Sequence, residues 1–197
     1  KRIRPVIMME FCKLCGGKPE DALDFAVALE MIHTYSLIHD DLPCMDNDDM
    51  RRGKPSCHKA FGEDIALLSG DALLTEAFFV ASNARVSAEK RLNAISFLST
   101  NAGVHGMIGG QVLDLSFEEN KPDAAALQDM YMRKTGALLI AAASIGCISA
   151  GKYDQETLKS AAKYGYNLGL AFQIVDDILD VTANEEVLGK PVGSDDK

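Results

Sequence analysis

The stretch His39-Asp40-Asp41-Leu42-Pro43-Cys44-Met45-Asp46-Asn47-Asp48-Asp49-Met50-Arg51-Arg52-Gly53-Lys54 packs five aspartates, two adjacent arginines and a proline into sixteen residues. Carboxylates this dense repel one another unless something cationic stands between them. Upstream, apolar residues run through Phe25, Leu29, Ile32, Leu37 and Ile38. From Pro19, a favoured first-turn residue, that pattern predicts a helix of about six turns. Pro43 cannot continue it, because proline lacks an N–H and clashes with the carbonyl four residues back, at His39. The helix is expected to end near Leu42, with residues 43–54 as loop. On an unbroken helix Asp40 and Asp46 would face apart, so the break at Pro43 is what lets Asp46 fold back toward Asp40 and Asp41.

A second acidic run, Asp176-Asp177-Ile178-Leu179-Asp180, lies far downstream. At about 100° per residue, Gln173, Asp176 and Asp180 form one stripe, with Asp177 flanking it. Leu168, Leu170, Phe172, Ile174, Val175, Ile178 and Leu179 surround the stripe, so it is expected to be buried. Buried carboxylates have to be paired or to bind metal. Oxygen ligands suit a hard ion, and Mg²⁺ takes few carboxylates, filling its octahedron with water and phosphate oxygens. The expectation is two aspartate clusters facing each other across a cleft, with Mg²⁺ and a diphosphate between them. His33, about 20° off the face of Asp40, can point into the same cleft. As a lone histidine on an apolar face it reads equally well as a core residue.

Nearly every other segment reads as helix. Residues 5–15 are apolar and stop at Gly16-Gly17. Residues 63–84 follow the same pattern, and Ser87 caps a further helix running toward Asp114, interrupted by Gly103, Gly106, Gly109 and Gly110. Residues 124–150 read as one long buried helix, too short in their uncharged part to span a bilayer. Asp154 opens the helix carrying the second acidic run, and Thr182 with Glu185 match a capping box for a short final helix. The fold class is all-α, in one domain over residues 1–197.

A hydrophobic share of 47% supports a sizeable core, and a net charge of −9 disfavours a nucleic-acid surface. An odd count of five cysteines, with no signal peptide, suggests reduced thiols in a cytoplasmic protein without stable membrane anchoring. The lone Cys12-Lys13-Leu14-Cys15 motif reads as core packing. The chain lacks an initiator Met and opens on Lys1-Arg2-Ile3-Arg4-Pro5, which reads as a piece of a longer polypeptide.

Asp40-Asp41-x-x-x-x-Asp46 with Arg51-Arg52-Gly53, and Asp176-Asp177-x-x-Asp180, resemble the two aspartate-rich motifs of the trans-prenyltransferases, the polyprenyl synthetase family. Lys1-Arg2-Ile3-Arg4-Pro5, Gly110-Gln111-Val112-Leu113-Asp114, Lys134-Thr135, Phe172-Gln173 and Gly189-Lys190 follow in the family's order. The resemblance implies an isoprenoid-synthase-type helical bundle around a central cleft, truncated at both ends, lacking the N-terminal helix and the C-terminal helices. It implies Mg²⁺, three ions per site, held by Asp40, Asp41, Asp46, Asp176, Asp177 and Asp180. Arg51, Lys134, Thr135, Gln173 and Lys190 would bind the allylic diphosphate. Lys1, Arg4, His33 and Arg52 would bind isopentenyl diphosphate. Tyr35 and Ser36 would form the floor that sets chain length, an aromatic there going with the farnesyl product. The reading implied is a homodimeric farnesyl diphosphate synthase, with a geranylgeranyl synthase as the alternative. A terpene cyclase or a silent regulatory subunit on the same fold are the remoter rivals. The dimer is also weakly supported by an apolar surplus around Leu92 to Met107.

Overall fold

The computed structural model describes residues 2–182. Helix α1 (Ile3–Leu14) leads into α2 (Pro19–Asp40), where Pro19 sits in the first turn with Glu20 and Asp21, the acidic start that a helix dipole favours. The helix gives out two residues before the expected end, and Pro43 explains why. Short strands β1 (Met50–Arg51) and β2 (Lys54–Pro55) form an antiparallel hairpin in what the sequence presented as loop. Then come α3 (Cys57–Phe61), also unforeseen, α4 (Glu63–Ser82), α5 (Ala88–Ala102), α6 (Met107–Glu119) and α7 (Ala124–Tyr131). A π-helical turn over Met132–Gly136 joins α7 to α8 (Ala137–Ser149), and α9 (Gln155–Thr182) completes the described residues. Ser87 and Asp123 cap α5 and α7 through their side chains. The expected final helix beyond Thr182 lies outside the described residues.

The all-α expectation holds, with the small hairpin as its exception. The core sits around α8, whose residues from Ala137 to Ser149 are buried apart from Ile140, which is half-buried. Its Ala, Gly and Ser positions let α1, α9 and α5 approach closely, and α2 packs on α4 and α1. Phe25, Leu29, Ile32, Leu98, Leu138 and Ile145 fill the space between. Truncating one of these leucines to alanine typically costs about 2–5 kcal/mol. The long helix foreseen over residues 124–150 is present in outline, but the π turn interrupts it. The glycines between Gly103 and Gly106 do more than kink: they separate α5 from α6. Cys12 is buried, Cys15 half-buried, and both are free thiols, as core packing requires.

Two surface features depart from expectation. The α9 stretch around the second acidic run is not buried: Asp176 is exposed, as are Phe172, Ile174, Val175, Ile178 and Leu179. No described element covers that face, so an apolar surround in sequence did not amount to burial. Exposed apolar side chains line α4 at Ile65, Leu68 and Phe79; in the Leu92–Met107 stretch Leu92 and Val104 are exposed, whereas Ala94, Leu98 and Ala102 face the core. By length and mean hydropathy (1.5), α4 is also the one helix among the described residues that could cross a membrane. Besides Glu63 and Asp64 in its first turn, it carries Asp71 and Glu76 mid-helix.

Candidate active site

The turn after α2 decides the geometry of the first cluster. Pro43 ends the helical ladder, Met45 and Asn47 donate their N–H groups to the Leu42 carbonyl, and the Asp46 N–H reaches the Asp40 carbonyl at 2.9 Å. Asp46 therefore folds back over Asp40, as the break predicted. Asn47 adopts φ 53° to turn the chain toward the hairpin. There Arg52 (φ 54°) and Gly53 (φ 74°) take the two left-handed positions of a type I′ turn, whose twist matches the flanking strands. The hairpin delivers Arg51 back to α2.

Arg51 grips Asp41: Nε donates to both carboxylate oxygens at 2.8 Å and Nη2 to Oδ1 at 2.5 Å. Asp41 is 2% exposed, so this pair carries most of its compensation. Asp40 accepts a 2.7 Å hydrogen bond from Gln111 Nε2 and stands 3.9 Å from Lys134 Nζ and 4.0 Å from Arg51 Nη2. Lys134 in turn donates to Asp114 Oδ2 at 2.5 Å. Burial raises the Asp40 carboxyl above its ordinary value despite Lys134 and Arg51. Burial, then the neighbouring Asp40, pushes Asp46 up to about 6. For Lys134, burial acts downward, but the charges of Asp40 and Asp114 and the Asp114 hydrogen bond hold the ammonium above its ordinary value. Two carboxylates under mutual strain beside two cations form a site ready to exchange internal counterions for external ones.

Next to this cluster, between α2 and the hairpin, lies a cavity of about 220 Å³, lined among others by Glu30, His33, Thr34, Asp41, Arg51 and Arg52. Arg4 comes to it from α1, and its Nε has no hydrogen-bond partner. Burial, then the charges of Arg4, Arg52 and Arg51, pushes the His33 imidazole down to about 3, so it stays neutral at ordinary pH. Arg51 and Arg52 in its lining, with the Arg4 charge felt at His33, suit a multiply charged oxyanion.

The opposite wall is the π turn and α9. Thr135 Oγ1 donates to Gln173 Oε1 at 3.4 Å, which sets Gln173, and by helical register Asp176, on the side of α9 that meets the π turn. Lys1 and Lys190 lie outside the described residues, as do the side chains of Asp177 and Asp180. Among the described residues, no group of three or more His, Cys, Asp or Glu side chains is arranged to hold a metal by itself. The donor set nevertheless fits Mg²⁺, which needs only one or two carboxylates beside its water and phosphate ligands. Asp40, Asp41, Asp46 and Asp176 are the described candidates.

Tyr35 is buried, and its ring meets His39 edge-on at 5.6 Å. His39 Nε2 lies 2.9 Å from the Leu67 carbonyl, so Tyr35 and His39 sit on the α4 side of α2. Ser36 turns its hydroxyl back onto the His33 carbonyl at 2.9 Å. Sequence reasoning named Gln111 and Asp114 only within a motif. That Gly110 and Asp114 are four apart, one turn on a common helix face, was the signal that they act together.

The polyprenyl synthetase family model matches residues 1–197, the whole chain. The chain belongs to the polyprenyl synthetase family. It is 49% identical to geranylgeranyl pyrophosphate synthase 9, chloroplastic, of Arabidopsis thaliana over 201 residues, covering 99% of this chain and 56% of that protein. It is 48% identical to a geranylgeranyl diphosphate synthase of Cyanophora paradoxa, covering 99% and 66%. The chain thus spans just over half the length of the first of these relatives. Among solved structures, an FPP/GFPP synthase from Zymomonas mobilis superposes with a TM-score of 0.87 at 40% identity, over 98% of this chain and 68% of that one. A Helicobacter pylori geranyltransferase complexed with magnesium and isoprenyl diphosphate gives 0.88 at 39% identity, over 98% and 65%. These relatives share the all-α fold described above.

Proposed function

We propose that this chain forms the substrate-binding core of a Mg²⁺-dependent prenyl diphosphate synthase that joins isopentenyl diphosphate head-to-tail to an allylic diphosphate. The observation that supports this is a pair of adjoining clusters along α2 and the hairpin, each suited to an anion. One is the carboxylate–lysine–arginine cluster at Asp40, suited to a metal-bound diphosphate. The other is the arginine-lined cavity at His33, suited to a second diphosphate without metal. A terpene cyclase has use for the first site and none for the second.

Bound to Asp40, Asp41, Asp46 and Asp176, Mg²⁺ would supply charge neutralisation to the leaving diphosphate. Arg51, released from Asp41, and Lys134, released from Asp40 while still held by Asp114, would bind the same oxygens and favour cleavage of the carbon–oxygen bond. The Thr135 hydroxyl, the Gln173 amide and the backbone dipoles of the π turn would face the allylic cation. Arg4, His33 and Arg52 would hold isopentenyl diphosphate so that its double bond attacks that cation. Loss of a proton to the released diphosphate completes a five-carbon extension.

The names of the curated relatives favour geranylgeranyl diphosphate as product over the farnesyl product put first from the sequence. The farnesyl reading keeps one specific support, the bulky Tyr35 one turn and a half before Asp40. The exposed row on α4 (Ile65, Leu68, Phe79) supports a homodimer, and light scattering of the full-length protein at micromolar concentration tests it. Five free thiols suit a reducing compartment, the cytoplasm in this reading. The decisive experiment incubates full-length protein with isopentenyl and geranyl diphosphates and Mg²⁺, then sizes the products. Mainly twenty carbons supports the first reading, fifteen the second, and no elongation refutes both. Calorimetry showing equal affinity for geranyl diphosphate in excess chelator would remove the metal from the scheme.

A further inference from the structure

The π turn is clamped between two helices that present glycine at the point of contact. On α6, a Cβ built on Gly110 would stand 2.7 Å from Lys134 Cα and 2.8 Å from the Arg133 carbonyl carbon, closer still to the Lys134 amide nitrogen. On α9, a Cβ on Gly169 would stand 2.7 Å from Gly136 Cα. Carbon atoms in contact prefer about 3.5–4.0 Å, so neither methyl fits without moving backbone. The backbone of α6 therefore lies directly against the residue that carries the cleft lysine. One turn further along α6, Asp114 takes the other end of that lysine, with Nζ to Oδ2 at 2.5 Å. Gln111, between them, donates to Asp40 Oδ1 at 2.7 Å.

We propose that Gly110 and Asp114 are positioning residues for prenyl transfer: Gly110 seats the backbone of Lys134 by having no side chain, and Asp114 aims its ammonium at the diphosphate. Lys134 is then fixed at both ends by a single turn of α6. Thr135, next in the chain, is set by the same contact. A methyl at position 110 would push the π turn off α6 and swing Lys134 and Thr135 away from the cleft. Loss of the Asp114 carboxylate would leave the backbone in place and the ammonium unaimed.

This rests on the function proposed above, and the test separates the two. Full-length Gly110→Ala, Gly110→Val, Asp114→Asn and Asp114→Glu are compared with wild type in two assays: steady-state elongation, and calorimetric binding of inorganic pyrophosphate with Mg²⁺. A displacement of about 1 Å in a positioned group can cost on the order of 100-fold. Expected are losses in kcat of about tenfold for Gly110→Ala and on the order of 100-fold for Gly110→Val and Asp114→Asn. KM for isopentenyl diphosphate, held at the His33 cavity away from α6, should stay within about twofold. Asp114→Glu should recover part of the loss, and Mg-pyrophosphate affinity should fall in parallel with kcat. Wild-type kcat in Gly110→Val or Asp114→Asn overturns the proposal, as does an equal rise in KM for isopentenyl diphosphate. If Gly110→Val does not fold, the volume-conserving Asp114→Asn carries the test. A wild type that binds Mg-pyrophosphate but makes no prenyl product refutes the function, and the affinities of the variants still decide the inference.

Discussion

Replacing Arg51 by methionine tests how the metal-free cleft is held together. Three N–O contacts of 2.5–2.8 Å bind Arg51 to Asp41, whose carboxylate is 2% exposed. At 2.8 Å and an effective dielectric of about 20, the bare attraction is about 6 kcal/mol. Solvent screens part of it, because the Arg51 side chain is 30% exposed. Breaking a buried pair from one side typically costs about 3–5 kcal/mol, chiefly from the charge left behind, and the lower end applies here. Arg51→Met should therefore destabilise the chelated, metal-free protein by about 3 kcal/mol. Asp41→Asn, which leaves an arginine able to reach water, should cost about 1–2 kcal/mol. The double variant should cost no more than about 2 kcal/mol, giving a coupling of at least about 2 kcal/mol. Urea unfolding of the four proteins, followed by far-UV circular dichroism, measures the cycle. A coupling below about 0.5 kcal/mol would show that the Arg51–Asp41 pair is ornamental and the resting site is held by something else.

Asp40→Ala and Asp176→Ala should each lower turnover by on the order of 10²–10³ with helical circular dichroism unchanged, and near-wild-type turnover in either would break the two-wall site. His33 titrates at about 3 in the fold against 6.5 ordinarily, so the unfolded chain binds more protons between those values. Its contribution to stability is whole above about pH 6.5 and is lost as pH falls toward 3; His33→Gln should therefore show a smaller drop in urea midpoint between neutral and acid pH, and identical drops would refute the shift. Tyr35→Ala should lengthen the main product by at least five carbons, and an unchanged distribution at comparable turnover would take Tyr35 out of chain-length control.

Much of the fold could be read from local chemistry. Pro43 marked the end of α2 and the fold-back of Asp46, because a missing N–H and a steric clash act within one turn. Ser87 and Asp154 announced their helices in the same way. What could not be read was contact between distant segments. Nothing in Met132-Arg133-Lys134-Thr135-Gly136 signals a π turn; it arises where α6 and α9 press on both sides. The exposure of Asp176 was misjudged because apolar neighbours in sequence say which face wants covering, not which element covers it. The Arg52-Gly53 turn lacked the Asn-Gly signature that makes a hairpin obvious, and so it passed for loop. The candidate site residues are named largely through motif order, since Arg4, His33 and Arg52 are separated in sequence and come near one another only through the packing of α1, α2 and the hairpin.

The hairpin behaves as a ruler. Arg51 and Arg52 are neighbours in the chain, yet one closes on Asp41 while the other sits at the turn, its charge felt by Arg4 and His33. Which arginine serves which anion is thus a matter of counting from Asp41, the partners of the first pair standing ten positions apart. Because strand pairing repeats every two residues, inserting or deleting a single residue in this segment turns a side chain to the opposite face. Substituting Asp48, Asp49 or Met50 should leave this count unchanged, whereas an odd change in length would hand the duties of Arg51 to its neighbour. Selection on this stretch should tolerate misspelling far better than miscounting.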